Sequence, residues 1–106
     1  DEGLAELLRE DLASVPGLTE KAMFGGRAWL LHGNLLGGAR DDGMLVRLGK
    51  GHDGWALATP DSGPMISRGK TMHGWVRAGP SAFGNDKLRR RLLDAALAFV
   101  RSLPKK

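Results

Sequence analysis

Ser67-Arg68-Gly69-Lys70-Thr71 ends in the Gly-Lys-Thr of a phosphate-binding loop, where backbone amides and a lysine cradle phosphate oxygens. Such a loop needs its first glycine five residues before Gly69. Pro64 stands there, and Gly63 lies one position too far. It must also open a helix, so that the helix dipole meets the phosphates. Here Met72-His73-Gly74-Trp75-Val76 reads as a strand, so the segment is expected to be a strand-connecting turn. Asp61-Ser62-Gly63 offers a nucleophilic serine, with His32, His52 and His73 as the available bases. Catalysis would require one of them within hydrogen-bond reach of Ser62. Asp-Ser-Gly is also ordinary turn chemistry, the reading expected here. The histidines lie far apart and no cysteine supports them, so no metal and no cofactor is expected. His73, between Met72 and Gly74, suits a half-exposed sheet position.

Arg89-Arg90-Arg91 is the most basic tripeptide. On a helix three consecutive residues splay over most of a turn, which suits a solvated face beside an acidic helix. The functional alternative is a phosphate contact, with Arg27, Arg47, Arg68, Lys70 and Arg77 as partners from the sheet. An RNA-binding sheet also presents stacking aromatics. There are six aromatic residues and no tyrosine, and Trp29 and Trp75 are expected in the core.

These residues belong to 106 amino acids, enough for one domain, expected over 1–106. Hydrophobic residues at 42% and charged residues at 26% suit a folded domain and exclude a disordered one. No apolar run approaches the roughly 20 residues of a membrane span. The absence of cysteine removes thiol catalysis and disulfide scaffolding and makes the cytoplasm the default expectation. The net charge of +4 is uneven: residues 1–20 carry −5, residues 21–86 carry +3 and residues 87–106 carry +6. An acidic head and a basic tail predict attraction between the two ends or between copies.

Leu4, Leu7, Leu8, Leu12 and Val15 recur at helical spacing, and Val15-Pro16-Gly17 stops the helix. Between Gly25 and Gly84 lie 14 of the 16 glycines, which predicts short strands with frequent turns. Strands are expected at Ala28-Trp29-Leu30-Leu31, Leu35-Leu36, Met44-Leu45-Val46-Arg47-Leu48, Pro64-Met65-Ile66-Ser67 and Met72–Val76. Hairpin turns fall at His32-Gly33-Asn34 and Asp41-Asp42-Gly43. In the third strand Met44, Val46 and Leu48 share a face and Arg47 points the other way. Trp55-Ala56-Leu57-Ala58 suits a helical turn. A second amphipathic helix is predicted from about Asn85 to Leu103, with Leu88, Leu92, Ala95, Ala96, Phe99, Val100 and Leu103 as its apolar stripe. Asn85 or Asp86 would cap it, and Pro104 stops it. The class is therefore α+β: a helix, an antiparallel sheet of about five short strands, and a helix.

Met23-Phe24-Gly25-Gly26, preceded by the basic Lys21 and followed by an aromatic-containing strand and a Gly turn, resembles the TfoX N-terminal domain family. These are the Sxy-type competence-regulator domains of bacteria. The likeness continues through the Asp-Asp-Gly hairpin, Met44–Leu48, Pro64–Val76 and the stretch from Leu88 to the closing Leu103-Pro104-Lys105, and the chain is similar to the short stand-alone branch. The resemblance implies a two-layer α+β sandwich, an antiparallel sheet covered by helices, similar to secretion-chaperone-like folds. It implies a positive role in competence-gene transcription beside a DNA-bound activator, for a full-length protein with a second, C-terminal domain. It supplies no catalytic residues. Read physically, Met23 and Phe24 would anchor a strand in the core, and Gly25-Gly26 would permit a bulge or the close approach of another backbone.

The expectation is a non-enzymatic protein-interaction module, linked to transcriptional regulation through the resemblance alone. Its partner would be another protein or a second copy in a homodimer, with no membrane. The alternatives are a nucleic-acid-binding module using Arg89, Arg90, Arg91, Arg68 and Lys70, and a small ligand-binding or hydrolytic domain using Ser62, His52 or His73.

Overall fold

The computed structural model describes residues 2–23 and 25–106, so Phe24 of the motif lies outside the described residues. The leucine periodicity forms α1 (Glu2–Asp11), which gives way to a turn ahead of Pro16 instead of continuing to Val15. Six strands follow: β1 (Leu18–Met23), β2 (Gly26–Leu31), β3 (Asn34–Arg40), β4 (Gly43–Arg47), β5 (Ser62–Ser67) and β6 (Lys70–Ala78). They form one antiparallel sheet in the order β1-β2-β3-β4-β6-β5. The sheet thus has one strand more than expected, the edge strand β1. After β4 the chain leaves the sheet through α2 (Gly54–Leu57), at the predicted helical turn, and re-enters at the far edge as β5.

The turns follow their sequence chemistry. Leu31 pairs with Asn34 across His32 and Gly33, and Ser67 pairs with Lys70 across Arg68 and Gly69. All four linking residues have positive φ, the geometry whose twist matches the strands it joins. The Gly-Lys-Thr segment is therefore a hairpin, as its following strand predicted.

Two further helices complete the fold: α3 (Pro80–Phe83), unforeseen in the sequence, and α4 (Asp86–Arg101). Asn85 caps α4, its side chain accepting a hydrogen bond from the Leu88 amide at 3.0 Å. The buried stripe of α4 is Arg89, Leu92, Leu93, Ala96, Leu97 and Val100. It is rotated by about one position from the predicted one, so Leu88, Ala95 and Phe99 are only partly buried.

Leu4, Leu8 and Leu12 near the N-terminus and Leu92, Ala96 and Val100 of α4 meet Trp29, Leu31, Leu36, Met44, Val46 and Val76 in the main core. Burying each large side chain of this kind is worth about 1.5–3 kcal/mol. Met44, Val46 and Leu48 share that core, as their alternation predicted. The resemblance implied a sheet covered by helices, and among the described residues the helices pack against one face only. The other face carries a smaller cluster of its own, Leu45, Met65 and Trp75 with Leu35 against it. Trp29 and Trp75 are both buried, but on opposite faces. Among the described residues no helix is long and apolar enough to cross a membrane.

A basic helix-free sheet face as candidate docking site

Side chains alternate across a strand, so the residues between the core positions line the uncovered face. Lys21 of β1 pairs with Ala28, Thr19 with Leu30, Leu30 with Leu35, and Arg47 of β4 with Trp75 of β6. A register shift between Trp29 and Leu30 turns Leu30 and Leu35 toward each other on this side. The result is an apolar floor of Leu30, Leu35, Met65, Met72 and Trp75. It is hollowed into two adjoining cavities. One, about 490 Å³, is lined by the floor together with Lys21, Met23, Arg47 and Lys106. The other, about 630 Å³, lies at the sheet's edge, where it is lined by Arg47, Lys50, His52, Met72, His73 and Trp75 and bordered by Phe99 of α4. Arg47, Met72 and Trp75 belong to both, and among the described residues no Asp or Glu side chain lines either.

Backbone contacts fix the cations at the rim. The Lys106 amide donates to the His32 carbonyl at 2.9 Å, and the Asn34 side-chain amide donates to the Pro104 carbonyl at 2.8 Å. Those bonds hold the C-terminal segment against the β2–β3 turn and put Lys106 beside the floor. At the other end the amides of Leu48 and Gly49 donate to the Gly74 carbonyl at 2.8 and 3.1 Å. Gly74 has φ +87°, and a Cβ there would stand 2.7 Å from the Lys50 nitrogen, so only glycine lets this loop lie against β6. The close approach brings Lys50 and His52 to the cavity that His73 also lines. Between the two ends, Arg47 donates to the Leu35 carbonyl at 3.4 Å, and its guanidinium sits 5.6 Å from the centre of the Phe99 ring.

The candidates drawn from the sequence scatter. Met23 does not anchor the core: it is half-buried at the end of β1 and lines the smaller cavity. Met23 pairs directly with Gly26, so Gly26 sits in register in the β1–β2 ladder and makes no bulge. Gly25 turns the chain at φ +72°, and a Cβ on Gly26 would lie 2.0 Å from the Ala39 carbonyl oxygen. The close backbone approach expected of the glycine pair is thus made by Gly26.

The three arginines do not act together. Arg89 is only 2% exposed. Its guanidinium donates to Asp11 at 2.7 Å, to Asp86 at 2.8 Å and to the Phe83 carbonyl at 2.9 Å. These bonds, Asp11 foremost, push its pKa up and remove it from any phosphate, against the expectation that it contacts one. Arg90 is exposed, 3.8 Å from Asp11. Arg91 stacks on Trp55 with 4.0 Å to the ring centre. The hollow beside Arg90 and Arg91 is also lined by Asp86 and Asp94. Arg68 and Lys70 are exposed on the β5–β6 hairpin. Arg27 pairs with Glu20 at 2.8 Å, and Arg77 donates to the Asp42 carbonyl at 2.9 Å.

Ser62 lies in neither cavity, and its hydroxyl receives the Thr59 hydroxyl at 2.8 Å. Asp61 accepts the Ser81 amide at 3.0 Å and so caps α3. His52 and His73 do share the larger cavity, but among the described residues no cluster of three or more His, Asp or Glu is placed to ligate a metal. Lys50, Met72 and Lys106 were not singled out by sequence reasoning. The signal for the face was the alternation of β4, which leaves Leu45 on the side opposite Met44 and Val46 and so demands a second apolar surface.

No curated protein and no solved structure matches the chain significantly. The family model of the TfoX N-terminal domain matches residues 10–100, which take in the whole sheet and nearly all of α4. The chain belongs to the TfoX N-terminal domain family.

Proposed function

We propose that this chain is a non-enzymatic protein-interaction module that acts in transcriptional regulation and docks its partner on the helix-free face of the sheet. The observation that carries the reading is an apolar floor drawn from β2, β3, β5 and β6, which among the described residues no helix covers except at its Lys50 end, where Phe99 of α4 borders it. Solvent-facing sheet surfaces ordinarily alternate to polar residues. Here Met72 is 38% exposed beside the half-buried Leu30 and Leu35, over the buried Met65. Contiguous apolar surface rimmed by polar groups marks an interaction site. Methionines suit such a surface because their flexible side chains adapt to a partner. Membership of the TfoX family supports the regulatory setting. The occupied hydroxyl of Ser62 and the capping role of Asp61 favour binding over hydrolysis, and the burial of Arg89 counts against a phosphate-binding arginine cluster on α4.

A photocrosslinking residue placed at Met72 in living cells tests the reading, with the same residue at Arg90 on α4 as the comparison. Discrete protein adducts are expected from position 72 and not from position 90. Adducts that form only from position 90, or nucleic-acid adducts in place of protein, would overturn it.

A further inference from the structure

We infer that the occupant of this face is an acidic segment of a partner protein, bound extended across the strands with large apolar residues between its carboxylates; this rests on the docking reading above. The charge pattern carries it. Lys21 and Lys106 stand at one end of the floor, Arg47 at its middle and Lys50 at the other, and among the described residues no carboxylate side chain lines it. Among the described residues no ion pair engages Lys21, Lys50 or Lys106. A partner bearing Asp or Glu at both ends and an apolar side chain over Met72 and Leu35 complements charge and floor together. Lys21 on β1 lies three strand spacings from Arg47 on β4, about 14 Å, which an extended chain crosses in about four residues. The recognised segment therefore carries two acids about four positions apart with apolar residues between them.

Two other occupants fit less well. A single-stranded nucleic acid needs exposed rings on which its bases stack. Trp75 is only 9% exposed, and Phe99 is partly buried with the Arg47 guanidinium 5.6 Å from its ring centre, which leaves the floor itself aliphatic apart from Trp75. A second copy meeting this face by two-fold symmetry would set the basic rim against itself. A copy presenting its acidic α1 would use a surface on the opposite side of the sheet, a head-to-tail contact that does not close.

The test selects peptides from a random twelve-residue displayed library on the whole chain, then titrates a synthetic copy of an enriched peptide into the isotopically labelled protein. Acidic peptides with Leu, Ile, Phe or Trp anchors are expected. Their binding should shift amide resonances around Arg47, Met72 and Trp75 and weaken several-fold as salt rises from about 0.05 to about 0.3 M. Lys21→Glu with Lys50→Glu, both at exposed positions, should keep the amide spectrum of a folded domain and lose affinity about tenfold. Arg47→Gln gives a second reading at the centre.

Enriched neutral or basic peptides that shift the same amides overturn the acidic occupant and leave the docking face standing. So does concentration-dependent dimerisation that shifts those amides. Shifts confined to α4, or an oligonucleotide bound on the face, remove both the occupant and the docking reading.

Discussion

At Arg89 one guanidinium ties together three chain segments: Asp11 at the end of α1, the Phe83 carbonyl at the end of α3, and Asp86 in the first turn of α4. The Asp11 side chain is itself only 10% exposed, so removing the cation would strand a nearly buried carboxylate. Breaking a buried pair from one side costs about 3–5 kcal/mol. Arg89→Ala is therefore expected to lose about 3 kcal/mol in urea unfolding, and Arg91→Ala well under 1 kcal/mol, as exposed cations do. Equal losses in the two variants would sink the distinction. The sequence held part of this. The excess of acid in the first twenty residues and of base in the last predicted attraction between the ends, and Arg89–Asp11 is such a contact. It did not disclose which arginine turns inward. Arg89 stands three and four residues before Leu92 and Leu93, on the face the leucines bury, but a charged side chain is ordinarily assigned outward. The buried stripe was therefore read through Leu88 instead.

Strands and helices differ in how plainly they were written. Both long helices were visible from their 3.6-residue period, and Asn85 from its capping chemistry, because those signals are local. The edge strand β1, Leu-Thr-Glu-Lys-Ala-Met, is hardly buried and carries Glu20 and Lys21, the charges that keep an edge from pairing further. Its sequence accordingly lacks the apolar alternation that marks inner strands. The candidate face was hidden for a related reason: its members come from all six strands and the C-terminal segment, and only the strand order makes them neighbours. The Met-Phe-Gly-Gly motif stood out in the sequence, and its work proves to be the join between β1 and β2. Gly26→Ala would drive a methyl group to within 2.0 Å of the Ala39 oxygen, a backbone atom of β3, the strand paired directly with β2. The expected loss is at least about 2 kcal/mol, because strain adds to the displaced packing. Gly63→Ala, also in a strand and without a positive φ, adds a carbon that meets nothing within 4 Å and so gives the same substitution without the collision. Thermal unfolding of the two variants decides, and comparable shifts would mean that the collision with Ala39 does not set the loss.

Across the whole molecule the two faces of the sheet carry different electrostatics, and the acid response of the protein follows from the covered one. Glu20 lies on that side, on the β1 position that pairs with Trp29. Hydrogen bonding to Arg9, reinforced by Arg27 and opposed by burial, lowers its pKa from 4.5 to about 2. Asp42 is likewise lowered, chiefly by Arg40. Both carboxyls ionise more readily in the folded chain than in the unfolded one, so the folded state binds fewer protons and stability rises with pH across their windows. For Glu20 the contribution is complete above pH 4.5 and disappears as pH falls through about 2. Its partners Arg9 and Arg27 are 44% exposed, so solvent screening keeps the contribution to about 1 kcal/mol or less. Chemical unfolding repeated at intervals from about pH 6 to about pH 2 should give a shallower decline in Glu20→Gln than in the parent chain. The neutral amide cannot regain a proton, so the gap between the two curves should narrow toward the acid end. Parallel curves would place the acid sensitivity in other carboxylates and leave the Arg9–Glu20–Arg27 cluster without a part in it.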